Sequence, residues 1–228
     1  MVELSAGGAV VTVVRSARRK RTISIGVADG VVTVRAPMRT PSREIEDLLR
    51  QRGAWISNRL ARDAARPGPR QFVSGERLPY LGGQIVVCRC ARERRRATVE
   101  LDGNVLHVAA VEGRIRDAVV RWYRARAAEV FGEAVARSST VSGLVPKAML
   151  VRDQKHRWGS CGPDGTIRLN WRLVLAEQQV IEYVVVHELA HLRHKNHGPE
   201  FWAEVAGMMP EHRVWRRRLR EVGPGLVV

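Results

Sequence analysis

The sequence predicts an α+β protein in two parts: a β-rich region with one helix over residues 1–110, and a mixed region over 111–228. Three observations predict it. Apolar residues alternate with polar ones in short runs through the first part, the period of a half-buried strand. From Ile115 onward the apolar period lengthens to that of a helix. A run of β-branched residues, "VVV" at 184–186, then leads directly into "HELAH".

Each element has a local reason. "AVVTVVRS" and "RTISIGVADGVVTVRAP" read as strands: Ile23, Ile25 and Val27 alternate, "ADG" is a hairpin turn signal, and Val32 and Val34 resume the alternation before Pro37 ends it. "TPSREIEDLLRQRGAWISNRLARDAA" reads as one helix, with Ser42 able to cap it and Gly53 a point of interruption. Ile45, Leu48, Leu49, Trp55, Ile56 and Leu60 keep its approximate period. "RPGPR" at 66–70 is the clearest linker candidate. Short strands follow in "RLPYLGGQIVVCRC", "RATVELDG" and "VLHVAA". A helix is expected over 115–137, with Val119, Trp122, Val130 and Phe131 on its apolar stripe. In "KHRWGSCGPDGTIRLNWRLVLA" two strands flank a turn at "CGPDG". Ile167, Leu169, Trp171 and Leu173 alternate there with Thr166, Arg168, Asn170 and Arg172, which predicts one buried and one polar face. A long helix is expected over 177–195, stopped by Asn196 and Gly198. Pro199 and Pro210 each suit the first turn of a further helix. No internal repeat is visible in the sequence.

Composition narrows the class. With 228 residues, 45% of them hydrophobic, the chain can bury a sizeable core. No run is apolar for long enough to span a bilayer. The N-terminal charges follow the apolar stretch instead of preceding it, unlike a signal peptide, so a cytoplasmic protein is expected. Three cysteines, Cys88, Cys90 and Cys161, are too few for a disulfide framework. Cys88 and Cys90 share a strand face across Arg89 and read as reduced thiols. The formal net charge is +16, and all but Lys20, Lys147, Lys155 and Lys195 of the 39 basic residues are arginine. Two readings compete for this excess: attraction to nucleic acid or another polyanion, and arginine-rich codon usage with no ligand.

Four of the seven histidines, His187, His191, His194 and His197, fall within eleven residues. His187 and His191 are four apart, so on a helix their imidazoles lie on one face and can converge on a single ion. Zinc accepts nitrogen ligands at about 2.0–2.1 Å in four-coordinate geometry. Glu188 points about 100° around the helix from His187. That puts its carboxylate beside the ion, where it can take a proton from an activated water. A catalytic site needs a third protein ligand. On a continuing helix the Cα of His194 would lie about 10 Å along the axis from that of His187, with His191 between. A turn over residues 195–198 would instead return His197 to the site. The expected zinc ligands are therefore His187, His191 and His197, with Glu188 the general base and one Zn2+ per chain. The rival is a purely structural histidine cluster.

With these motifs in hand, the chain resembles the YgjP-like, SprT-related zinc metallopeptidases of the zincin class. The resemblance is carried by "RRKRTISI", "WGSC" at 158–161, "LNWRLVLA" at 169–176, "VVVHELAH" and "NHGPEFW". It extends over nearly the whole chain, implying one continuous family domain with a zincin-like catalytic region. It implies zinc on His187, His191 and His197, and catalysis by Glu188, in agreement with the spacing argument. It also implies a small sheet packed on the HExxH helix, with an edge strand lining the cleft. The "WGSC…LNW" hairpin is the natural candidate for that edge, and a polypeptide substrate could add to it as a further strand. Core packing is the plainer reading of Trp158 and Trp171. A buried thiol is the plainer reading of Cys161.

The expected reaction is peptide-bond hydrolysis. His156, Arg157, Tyr183 and His212 are candidate oxyanion helpers. Glu200 and Glu204 are candidate acceptors for the metal-binding histidines. The residues leave two other functions open. One is a metal-dependent phosphohydrolase acting on nucleotides, its arginines holding phosphates, although the sequence has no glycine-rich phosphate loop. The other is a nucleic-acid-associated protein with a structural zinc, which would need Cys161 or His194 as a fourth ligand.

Overall fold

The structure is a computed structural model that describes residues 3–6, 9–28, 30–64, 70–90 and 97–228. The fold is α+β, with six α-helices and three small sheets among the described residues. Two compact units divide at Gly68/Pro69. The linker candidate "RPGPR" lies almost wholly outside the described residues.

The first unit holds strands β1 (Glu3–Ala6), β2 (Ala9–Ser16), β3 (Ser24–Ala28) and β4 (Val31–Pro37), then helices α1 (Ser42–Gln51) and α2 (Gly53–Ala64). The sheet order is β1-β2-β4-β3, with β2 and β4 parallel and the outer pairs antiparallel. The alternation in β4 buries Val32, Val34 and Ala36 against Ile45 and Leu49 of α1 and Ile56 of α2. Each of the larger side chains contributes about 1.5–3 kcal/mol on burial. The single expected helix is two, because the chain breaks between Gln51 and Gly53. Ser42 is the first helical residue and makes no cap; Pro41 occupies the N-cap position. Gly30 adopts a left-handed φ of 73° in the β3–β4 turn, and its N–H donates to Asp63 of α2.

The second unit begins with β5 (Arg77–Tyr80), β6 (Gly83–Arg89), β7 (Thr98–Asp102) and β8 (Val105–Ala109). Their order is β5-β6-β8-β7, again with the middle pair parallel and the outer pairs antiparallel. Two four-stranded sheets in one chain thus share a topology that the sequence does not display as a repeat. Leu78, Ile85, Val87, Leu106 and Val108 from the second sheet pack into one core with Val119, Tyr123 and Phe131 of α3 (Ile115–Ser142). That shared core keeps the second sheet and α3 in the same compact unit. Helix α3 runs five residues past the expected Arg137 and ends at Gly143, whose φ of 69° suits a left-handed cap.

Beyond it lie β9 (Ala148–Arg152), β10 (Gly159–Cys161) and β11 (Thr166–Asn170), then a 3-10 helix over Trp171–Leu175. Helices α4 (Gln178–Ala190), α5 (Pro199–Met208) and α6 (His212–Val222) complete the unit. The third sheet has the order β10-β11-β9, which leaves β10 as an edge strand. Helix α4 packs against both β10 and β11. No helix among the described residues is long and apolar enough to cross a membrane.

The two-faced strand expected around Leu169 is not what forms. In β11, Thr166, Ile167, Leu169 and Asn170 are all buried. Asn170 is 3% exposed, and its amide donates to the carbonyls of Gln154 (2.7 Å) and Arg157 (3.1 Å) while its Oδ1 accepts from Arg172 N–H. Trp171 is in the core, in line with its plainer reading.

Candidate metal centre

Helix α4 is apolar on most sides: Val180, Ile181, Val184, Val185, Val186 and Leu189 are all buried. His187 and Glu188, set into this apolar surface, must therefore be used or satisfied locally. The helix ends at Ala190, earlier than the expected Lys195. The amides of Leu192 and Arg193 donate three residues back, to Leu189 and Ala190, which tightens the last turn. Lys195 Nζ then donates to the His191 carbonyl, satisfying one end group of the helix. The chain reverses, and Pro199 opens α5 at its first turn as expected.

This reversal gathers three imidazoles. One ligand-type nitrogen from each of His187, His191 and His197 lies within 4.8 Å of the others. His187 Nε2 and His197 Nε2 are 3.1 Å apart. Two imidazole nitrogens on one tetrahedral zinc would sit about 3.3–3.4 Å apart. Phe201, fully buried on α5, forms the floor of the cluster, its ring centroid 4.9, 4.6 and 4.7 Å from those of His187, His191 and His197. His191 Nδ1 donates to the His194 carbonyl at 2.9 Å, which leaves Nε2 as the free acceptor nitrogen. His187 Nδ1 is buried without a hydrogen-bond partner. Burial, followed by the charges of His191, His197 and Arg216, lowers the His187 pKa to about 3, and burial also lowers that of His191. Both rings are therefore neutral at ordinary pH, the form that binds a metal ion. The donor set and its spacing fit a divalent ion.

His194 is not in this cluster. Its ring faces Glu204 (3.3 Å) and Glu200 (3.8 Å), and Arg193 also pairs with Glu204 at 2.7 Å. The two glutamates expected to orient the clustered histidines thus hold His194 instead, and the acceptor for His191 is a backbone carbonyl. Sequence reasoning shows Phe201 only as part of "GPEFW"; an aromatic residue in the first turn of the helix that follows His197 is the signal that could flag it.

Glu188 is 5% exposed. Its Oε2 has no hydrogen-bond partner, and burial raises its pKa to about 7 against the opposing pull of Arg157. Arg157, Gly159, Ser160, Cys161, Lys195 and the three clustered histidines line one groove with it. Gly159 is what admits the carboxylate: a Cβ there would lie 2.5 Å from Glu188 Oε1 and 2.8 Å from Cδ. Burial raises the pKa of the Cys161 thiol, whose Sγ contacts the Gly162 carbonyl at 3.5 Å.

The wall of the groove is a strand edge. Trp158 O accepts from Asn170 N–H, Gly162 N–H donates to Thr166 O, and Ser160 is opposite Arg168. Antiparallel pairs alternate, so Gly159 and Cys161 turn their N–H and C=O groups away from β11. Of the oxyanion candidates, Arg157 lines the groove and the Tyr183 ring lies 6.0 Å from that of His187. His212 instead stacks on Trp202 and bonds the Met209 carbonyl, and His156 is not among the lining residues.

No curated protein matches the chain. Among solved structures it is similar to two metallopeptidase zymogens. One is abylysin of Pyrococcus abyssi, with 23% identity, TM-score 0.38, and 42% of this chain and 99% of that one covered. The other is jannalysin of Methanocaldococcus jannaschii, with 20% identity, TM-score 0.36, and 40% and 94% covered. Residues 21–222 match the YgjP-like metallopeptidase domain, a span that takes in both the histidine cluster and the groove. A metal-dependent hydrolase is what that match implies, and the chain belongs to the YgjP-like metallopeptidase domain family.

Proposed function

We propose that the protein is a zinc-dependent peptidase whose metal is held by His187, His191 and His197 and whose general base is Glu188. The observation that carries this reading is the buried, unpartnered Glu188 carboxylate beside three convergent imidazoles. Bound there, a zinc ion would supply Lewis acidity, polarising a carbonyl and making water easier to deprotonate. Glu188 takes up the proton of the attacking water. It then delivers that proton to the departing amine.

The outward-turned backbone of Gly159 and Cys161 supports an extended polypeptide as the substrate, added to β10 as a further strand. Such a strand orients the scissile bond by main-chain hydrogen bonds. A phosphohydrolase acting on nucleotides is the second reading, favoured by Arg157 and Lys195 on the groove wall. Metal analysis and a side-by-side assay separate the two. One zinc per chain should copurify and be lost in His187→Ala, His191→Ala and His197→Ala but kept in His194→Ala. The zinc-loaded protein should cut casein and leave nucleoside triphosphates intact. Chelator-sensitive nucleotide hydrolysis with no proteolysis would replace the peptidase reading with the second.

A further inference from the structure

Apart from Glu188, the charged side chains lining the groove that are not histidines are both cations, Arg157 and Lys195. Elsewhere in this unit arginines are commonly matched: Arg172 and Arg124 with Asp153, Arg218 with Glu177, Arg193 with Glu204, Arg137 with Glu182. Arg157 and Lys195 make no ion pair among the described residues. Helix α4 and the turn after it run along β10: Glu188 lies against Gly159, and Leu192 lies 3.7 Å from the Cβ position of Gly165, just past Cys161. Arg157, two residues before Gly159, and Lys195, whose Nζ sits on the His191 carbonyl beyond Glu188, thus lie toward opposite ends of β10. At about 3.3 Å per residue, a chain lying along β10 would present positions roughly two residues to either side of the bond next to Glu188.

This inference rests on the peptidase reading and names its substrate class. The geometry points to a groove that selects polypeptide segments with an acidic side chain on each side of the scissile bond, one met by Arg157 and the other by Lys195. A solvent-facing ion pair contributes modestly, so each acidic residue should raise kcat/KM about fivefold. The gain should shrink with added salt.

The test uses the zinc-loaded full chain and a neutral host peptide cut at one bond, with a single glutamate placed two residues before or two after that bond. Affinities of the same peptides for Glu188→Gln, read by fluorescence anisotropy, give a measure that does not need turnover. The expected result is a gain from either glutamate in both measurements. Arg157→Glu should abolish the gain on one side only and Lys195→Glu on the other, while Arg157→Lys and Lys195→Arg keep both. Each reversal changes the net charge equally, so a loss on both sides from either variant would mean a long-range field and overturn the inference. Equal cutting and binding of acidic and neutral peptides would overturn it and leave the peptidase reading intact. Binding of single-stranded DNA without binding of acidic peptides would assign the cations to phosphates and overturn it. If no peptide is cut, the peptidase reading fails and the inference falls with it.

Discussion

Gly159 and Glu188 are packed so closely that any side chain on the glycine would displace the carboxylate: a Cβ at residue 159 would lie 2.5 Å from Oε1 and 2.7 Å from Cγ. The edge strand therefore does two things, offering its backbone to the groove and fixing one wall of the Glu188 site.

Gly159→Ala should accordingly impair catalysis through Glu188 alone. A displacement on the order of 1 Å can cost about 10²-fold in rate. Peptidase kcat should fall by about that factor while zinc content stays at wild-type level, because the three atoms nearest a Cβ at this position all belong to Glu188. Activity assays paired with metal analysis check this, and loss of metal would show that the substitution disturbs more than the carboxylate.

Asn170 and Trp171 should both be stability positions. Asn170→Leu removes the buried amide that donates to the Gln154 and Arg157 carbonyls, at a cost of about 1–3 kcal/mol. Trp171→Ala removes a large core side chain, at a cost of about 3–5 kcal/mol. Denaturant titration measures each. Asn170→Leu should also lower activity, because Asn170 ties down the segment that carries Arg157.

Metal-free protein should show opposing pH dependences from the two buried groups on α4. Glu188 rises from an ordinary 4.5 to about 7 on folding, so its contribution is fully present below pH 4.5 and is lost as pH rises toward 7. His187 falls from 6.5 to about 3, so its contribution is present above pH 6.5 and is lost as pH drops toward 3. Glu188→Gln removes only the first. Chelator-treated Glu188→Gln should match metal-free wild type at pH 4 and exceed it by about 3 kcal/mol at pH 8. Denaturation at the two pH values reads the difference; equal stability at both would mean the carboxylate ionises freely inside the fold.

The site is more legible in the sequence than its surroundings are. The i, i+4 spacing of His187 and His191 depends only on helix geometry, and Asn196 and Gly198 signal the reversal that returns His197. Strand alternation locates Val32, Val34, Ile167 and Leu169 in cores. It fails at Asn170 because alternation assigns a face by polarity, and this amide is buried by satisfying three backbone groups. The helix end at Ala190 is hidden because the residues that follow are compatible with helix, and the local 3-10 turn and the Lys195 contact stop it first. The boundary at residue 68 is hidden because residues 77–109 have the same strand pattern as the first unit and differ only in which helix they pack on.

Glu188→Gln tests the central claim most directly. The amide keeps the shape of the side chain and its contact with Gly159 but cannot accept the proton of the attacking water. Peptide hydrolysis by the zinc-loaded variant should fall by about 10²–10⁴-fold, the usual worth of general acid–base assistance. Zinc content should equal that of wild type, since the three clustered histidines are untouched. Full retention of peptidase activity by Glu188→Gln, with zinc in place, would contradict the account.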